Sequence, residues 1–215
     1  MKEIIKDLFS NWKTVPNLLS FLRILMVPVF AVLFMNGEYA WSVFVLALSG
    51  LSDFFDGKIA RRFNQISSLG KILDPLADKA TQITIAIVFF ITFWNAEDTF
   101  IHYISIIFLV FLVKEALMVI GSVVMIILGI RPGAAEMPGK VATFAFYLIM
   151  ISIIAFGPEI GILREALFTY PDWLMLVLVV ISAILTIIAF CGYLPGVYHQ
   201  LKERNQNKNA ENSAK

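Results

Sequence analysis

Apolar runs of about 20 residues, the length that crosses a hydrocarbon core as a helix, recur along this chain and leave it few possible folds. A soluble domain of 215 residues that is 59% hydrophobic and 15% charged cannot hide so much apolar sequence. The 19 Phe lie in long uniform runs that suit lipid-facing helices better than strands. The reading is an all-α integral membrane protein of one domain. Cys191 is the one cysteine, so no intrachain disulfide can form, and with only His102 and His199 beside it no His/Cys zinc site is expected. The N-terminus mixes acids with bases and shows no small-residue cleavage site, so no signal peptide is expected.

Turn signals divide the apolar sequence into six transmembrane helices: Pro16 to about Asn36, Tyr39 to about Phe63, Gly70 to about Trp94, Phe100 to about Gly129, Lys140 to about Phe156 and Trp173 to about His199. Pro16 suits a first helical turn, Asn36-Gly37-Glu38 a tight turn, and Gly192 with Pro195 a kink in the sixth helix. Residues 1–14 carry Ile4, Ile5, Leu8, Phe9 and Trp12 on one face, which predicts an amphipathic interfacial helix. Leu163–Phe168 is expected to form a short interfacial helix, and residues 202–215 a disordered tail after the six-helix domain of residues 15–201. Of the 17 Lys and Arg, all but Arg23, Lys79, Lys114 and Arg164 fall on the side of the two termini. The opposite loops hold Arg164 among Glu38, Glu97, Asp98, Glu159, Glu165 and Asp172. The positive-inside rule therefore places both termini in the cytosol.

Against this pattern stands the stretch from Asp53 to Asp78. Residues 53, 56, 57 and 60 are spaced i, i+3, i+4, i+7, so Asp53 and Asp56 share a helical face with Gly57 and Ala60. On the next helix Gly70, Asp74 and Asp78 share a face at i, i+4, i+8. Four unpaired carboxylates near the bilayer centre would cost on the order of 10 kcal/mol, at roughly 2.5–3.5 kcal/mol each. Bound divalent cations offset such a cost. Oxygen-only ligands suit Mg²⁺, Mn²⁺ or Ca²⁺, and four carboxylates suffice for a two-metal clamp. The small Gly and Ala face leaves room for a ligand against the backbone. Arg61 is placed to hold a phosphate oxygen, with Lys71 a weaker candidate. A phosphate-containing substrate at the membrane surface follows, with the motif on the cytosolic side. Four solvated surface acids would not need a Gly and Ala face.

The stretch resembles the signature of the CDP-alcohol phosphatidyltransferase family, D-x2-D-G-x2-A-R-x8-G-x3-D-x3-D. All eight fixed positions match: Asp53, Asp56, Gly57, Ala60, Arg61, Gly70, Asp74 and Asp78. The P-N-L-L-S-x-x-R start of the first helix and the D-P-L-A-D-K run extend the likeness. The resemblance implies a six-helix enzyme of the bacterial cytoplasmic membrane, typically a homodimer. It would move a phosphatidyl group from a CDP-linked lipid, CDP-diacylglycerol, to an alcohol and release CMP. Asp53, Asp56 and Asp74 would ligate two Mg²⁺ or Mn²⁺ ions, with Asp78 sharing in this and acting as general base. Asp56, Gly57, Ala60, Arg61 and Gly70 would border the cytidine diphosphate.

D-P-L-A-D-K is similar to the glycerol-type branches, the phosphatidylglycerophosphate synthases and the cardiolipin synthases. Ser122 and Ala142 stand where the first branch carries cations, and G-K-x-A-T-F looks like the second. Arg23, Lys79, Lys114, Arg131 and Lys140 remain as candidate acceptor-binding residues, and glycerol 3-phosphate is kept as the leading acceptor ahead of phosphatidylglycerol. Lys114 and Glu115 point about 100° apart on a helix, so each is expected to face its own partner near the acceptor. An intramembrane prenyltransferase would carry its acidic motifs in separate halves of a longer bundle. A divalent-cation transporter would carry acids near mid-membrane and internal repeats. The sequence shows neither pattern.

Overall fold

The structure is a computed structural model that describes residues 14–62, 70–127 and 137–213. Residues 53–62, 71–72, 74–75, 126–127, 137, 203, 205 and 207–213 are described by their backbone alone. The described residues form helices and turns, with no strand. The helices are α1 (Val15–Met35), α2 (Tyr39–Arg62), α3 (Gly70–Trp94), α4 (Thr99–Ile127), α5 (Met137–Phe156) and α6 (Asp172–Ser213). The amphipathic helix expected over residues 1–14 and the candidate residue Arg131 lie outside the described residues, Thr14 excepted.

Local chemistry sets the helix ends. Thr14 is extended and its Oγ1 accepts from the Asn17 N–H at 3.4 Å, capping α1 with Pro16 in the first turn. At the other end of α1, Gly37 has φ +80°, Glu38 N donates to Leu33 O at 2.9 Å and Gly37 N to Phe34 O at 3.0 Å. These are the two bonds of a Schellman ending, and the positive φ is why glycine stands there. Asp98 caps α4, accepting from Phe100 N at 2.7 Å and Ile101 N at 3.1 Å. His102 closes the α3–α4 hairpin: its Nδ1 lies 2.8 Å from Trp94 O and its ring 4.4 Å from the Trp94 ring.

The protein is an all-helical integral membrane protein. Among the described residues, Val15–Met35, Leu76–Trp94, Thr99–Met125, Pro138–Phe156 and Asp172–Lys202 are long and apolar enough to cross a bilayer. Among the described side chains of α2, Tyr39–Ser52 forms a shorter apolar segment, and the motif follows it in the sequence. In the bundle α1 packs on both α2 and α3, α3 on α4, α4 on α6, and α5 on α6.

The two ends of the bundle interior differ. One half is filled by Phe34, Phe89, Phe93 and Phe108, all 1% exposed or less. Their ring centroids are 5.1 Å apart for Phe34–Phe89 and 5.4 Å for Phe89–Phe108. Such pairs contribute about 0.5–1.5 kcal/mol each beyond their burial. The half nearer the Asp53–Asp78 motif buries Asn17, Arg23, Ser49, Ser52, Gln82 and Glu115 instead. The interior thus grades from aromatic to polar toward the motif.

Two expectations are corrected. Leu163–Phe168 forms turns, not a helix. The N–H groups around it are used to end α5: Gly157 N donates to Ile153 O, Ile162 N to Ile154 O, Leu163 N to Ala155 O and Tyr170 N to Phe156 O, at 2.7–3.0 Å. Phe168 stacks on Phe156 with ring centroids 4.6 Å apart. Also, α6 runs through Leu201 to Ser213, where a disordered tail was expected. Residues 202–213 mix the good helix formers Lys, Glu, Arg, Gln and Ala with four Asn and a Ser, and after Gly196 no Gly or Pro interrupts them.

The α5 ending depends on close backbone approach. A Cβ on Gly161 would lie 2.4 Å from Gly157 O and 3.0 Å from Gly157 N. Gly161→Ala is expected to destabilise the fold by about 1–3 kcal/mol, since backbone must move to admit the methyl. Thermal unfolding in detergent measures this, and an unshifted midpoint would show that the loop yields freely.

Candidate active site

The backbone of α2 is helical through Arg62, so residues 53, 56, 57 and 60 keep the register that places them on one face. Side chains at Asp53, Asp56, Ala60 and Arg61 are not among those described. Gly70 opens α3 and is buried, and Asp74 and Asp78 follow at one and two turns. Their helices are gathered by α1. Ser52 Oγ donates to Leu19 O at 3.5 Å. Met26, Val27 and Phe30 of α1, Val45, Leu46 and Ser49 of α2 and Thr81 of α3 line one small gap. Asp78 lies about one turn from Thr81 toward the start of α3.

Asp78 is half-buried and held from two helices. Its Oδ2 accepts from Gln82 Nε2 at 2.8 Å, and its Oδ1 from the Tyr147 hydroxyl at 3.4 Å. Gln82, four residues on, was legible as an i+4 neighbour but was not singled out. Tyr147 comes from α5, 69 positions away, and no sequence spacing points to it.

Beside Asp78, Lys79 turns toward α4. Its Nζ is 3.0 Å from Glu115 Oε2, while Lys114 Nζ contacts Glu115 Oε1. The Glu115 side chain is 3% exposed, against 22% for Lys79 and 18% for Lys114. The expectation that Lys114 and Glu115 face separate partners is therefore corrected. The long lysine stem spans the 100° between the two Cβ directions, and a shared buried carboxylate is the stronger attraction. One carboxylate between two ammonium groups leaves a net single positive charge. Arg23 is buried on α1, in line with Ser20 and Asn17, and Lys140 is exposed in the first turns of α5.

The sequence profile of the CDP-alcohol phosphatidyltransferase family matches residues 13–193. The chain belongs to this family. A Streptomyces coelicolor protein named cardiolipin synthase (CMP-forming) is 37% identical over 153 residues, covering 65% of this chain and 66% of that protein. An Aquifex aeolicus protein named CDP-diacylglycerol–glycerol-3-phosphate 3-phosphatidyltransferase is 31% identical over 179 residues, 83% of this chain and 93% of the relative. The human cardiolipin synthase (CMP-forming) is 47% identical over 74 residues, 34% of this chain and 25% of that protein. The chain thus spans about two thirds of the length of the Streptomyces relative and a quarter of the human one. The family match encloses all eight positions of the motif and both helices that carry it.

Proposed function

We propose that this chain transfers a phosphatidyl group from CDP-diacylglycerol to a glycerol-type alcohol and releases CMP, as a step of phospholipid synthesis. The observation that carries the reading is the complete eight-position motif on α2 and α3, inside the family match, with its last carboxylate held at the polar end of the bundle. The donor set fits a divalent metal: Asp53, Asp56, Asp74 and Asp78 offer hard oxygen ligands and no soft ones. Two Mg²⁺ or Mn²⁺ ions held there would neutralise the diphosphate and the leaving CMP. Gly57, Ala60 and Gly70 leave space for the nucleotide against the backbone, and Arg61 supplies a fork for a phosphate oxygen. Asp78 takes the proton of the acceptor hydroxyl while the new P–O bond forms and the bond to CMP breaks, its electron pair leaving with CMP. In the same reading α2 crosses the bilayer as a sixth span. Its 24 residues give about 36 Å at 1.5 Å each, enough for the hydrocarbon core. The charge pattern supports a cytosolic site and cytosolic termini, and the family resemblance supports a homodimer.

Phosphatidylglycerol is the acceptor the geometry favours, which reverses the order expected from the sequence. Glycerol 3-phosphate carries a monoester phosphate of about −1.5 to −2 charge at neutral pH. Lys79 and Lys114 are both engaged by Glu115, so two of the five candidate cations are already partly neutralised. A phosphodiester with one negative charge calls on fewer of these cations than the monoester does. The second reading, glycerol 3-phosphate, is supported by the match that covers 93% of the Aquifex protein. Purified protein in detergent with CDP-diacylglycerol and Mg²⁺ separates them: CMP is expected with phosphatidylglycerol and not with glycerol 3-phosphate. The opposite result would return the acceptor to glycerol 3-phosphate. CMP from neither alcohol would refute both, and pyrophosphate release would point to a prenyltransferase.

A further inference from the structure

We propose that Tyr147 and Gln82 are positioning residues for the transfer, fixing the Asp78 carboxylate toward the acceptor hydroxyl. The inference rests on the reading of Asp78 as the base. Neither residue belongs to the eight-position motif. The two carboxylate oxygens are both engaged, Oδ2 accepting from Gln82 at 2.8 Å and Oδ1 from Tyr147 at 3.4 Å. Turning the carboxylate about its Cβ–Cγ bond breaks both contacts, so the pair fixes the plane of the group. Gln82 is 7% exposed, and its amide sits on the same helical face as Asp78. Tyr147 is anchored separately. Its ring lies 5.9 Å from that of Phe146, which is buried and lies 5.0 Å from Phe111 of α4.

The route of this contact gives it weight. α5 packs chiefly on α6, whereas α3 packs on α1 and α4. The Tyr147 hydroxyl reaches across from one pair of helices to the other and ends on a carboxylate of the motif. A phenol set among apolar neighbours needs an acceptor, and a carboxylate is the strongest one a side chain provides. Its length of 3.4 Å is that of a contact with room to tighten in a substrate complex.

Tyr147→Phe keeps the ring and removes the hydroxyl, and Gln82→Met keeps the length of the side chain and removes the donor. In each variant kcat for CMP release is expected to fall about tenfold or more, as expected when a catalytic group loses its orientation. KM for CDP-diacylglycerol and for the alcohol should stay within about twofold of wild type, because neither side chain is placed to bind them. Mn²⁺ affinity, read by electron paramagnetic resonance without turnover, should fall by less than kcat does, because Asp53, Asp56 and Asp74 remain as ligands. Full kcat in both variants overturns the inference, and so does a rise in KM with kcat preserved. A loss of Mn²⁺ affinity as large as the loss of kcat also overturns it, because the two residues would then act through the metal site and not by orienting a base. A wild-type protein that forms no CMP with any alcohol refutes the transferase reading and this inference with it. An active wild type with unaffected variants refutes this inference alone.

Discussion

Asp78→Asn is expected to lower the rate of CMP release by about 10²–10⁴-fold while the bundle stays folded. Asparagine has the shape of aspartate and keeps one oxygen to accept from Gln82 or Tyr147, so the packing around the site is retained. In the proposed reaction it loses the basic oxygen that would take the acceptor proton, and one negative charge facing the cations expected at this motif. The two losses act in the same direction, which is why this change should exceed any other single substitution at the described site. CMP release and thermal unfolding in detergent, measured together, test it. Turnover within tenfold of wild type in a folded variant would remove Asp78 from the chemistry. A variant that melts far below wild type would make the residue structural.

The second large effect falls on stability. Glu115→Gln is expected to destabilise the protein by about 3 kcal/mol, the low end of what breaking a buried ion pair costs, because both lysines keep some exposure. Glu115 is 2% exposed and lies in a helix long and apolar enough to cross a membrane. Neutralising it leaves Lys79 and Lys114 facing each other without the charge that drew them together. A shift in the unfolding midpoint measures the cost, and a Glu115→Gln protein that melts like wild type would show that water already screens the cluster. The triple change Lys79→Met, Lys114→Met and Glu115→Leu should recover most of the loss, since three apolar side chains of similar volume need no partners. Its acceptor KM then reports whether the lysines matter to binding as well as to folding.

Much of this architecture is local, and local features are legible in a sequence. The third helix was expected from Gly70 to about Trp94 and occupies Gly70–Trp94. The Asn36-Gly37-Glu38 turn was expected because glycine tolerates the positive φ that the Schellman ending uses. The motif was legible because its spacing is a helical register that needs no tertiary information. Other readings failed where the outcome depended on competition. Leu163–Phe168 has the composition of a short helix, but the neighbouring N–H groups are taken by the end of α5. Lys114 and Glu115 diverge by helical geometry alone, but a flexible lysine stem and a low-dielectric interior favour their meeting, with Lys79 brought in from α3. Tyr147 could not have been found at all, because its partner is set by how α5 lies against α3. The four-carboxylate grouping and the role of Arg131 concern side chains beyond those described, so their support remains the pattern in the sequence.

The graded interior has a consequence for the cell as well as for the reaction. A lipid-modifying site needs water on one side for a nucleotide headgroup, and any continuous wet path beyond it would be a route for ions. Here the packed rings of Phe34, Phe89, Phe93 and Phe108 stand between the polar half and the far surface. The phenyl rings themselves offer no group to solvate a proton or a metal ion, and the buried Ser42 and Ser105 hydroxyls in that half donate to Tyr39 O and His102 O. Were the proposed reaction to run at the polar end, such a seal would let charge sit there without opening a path for ions to the far surface.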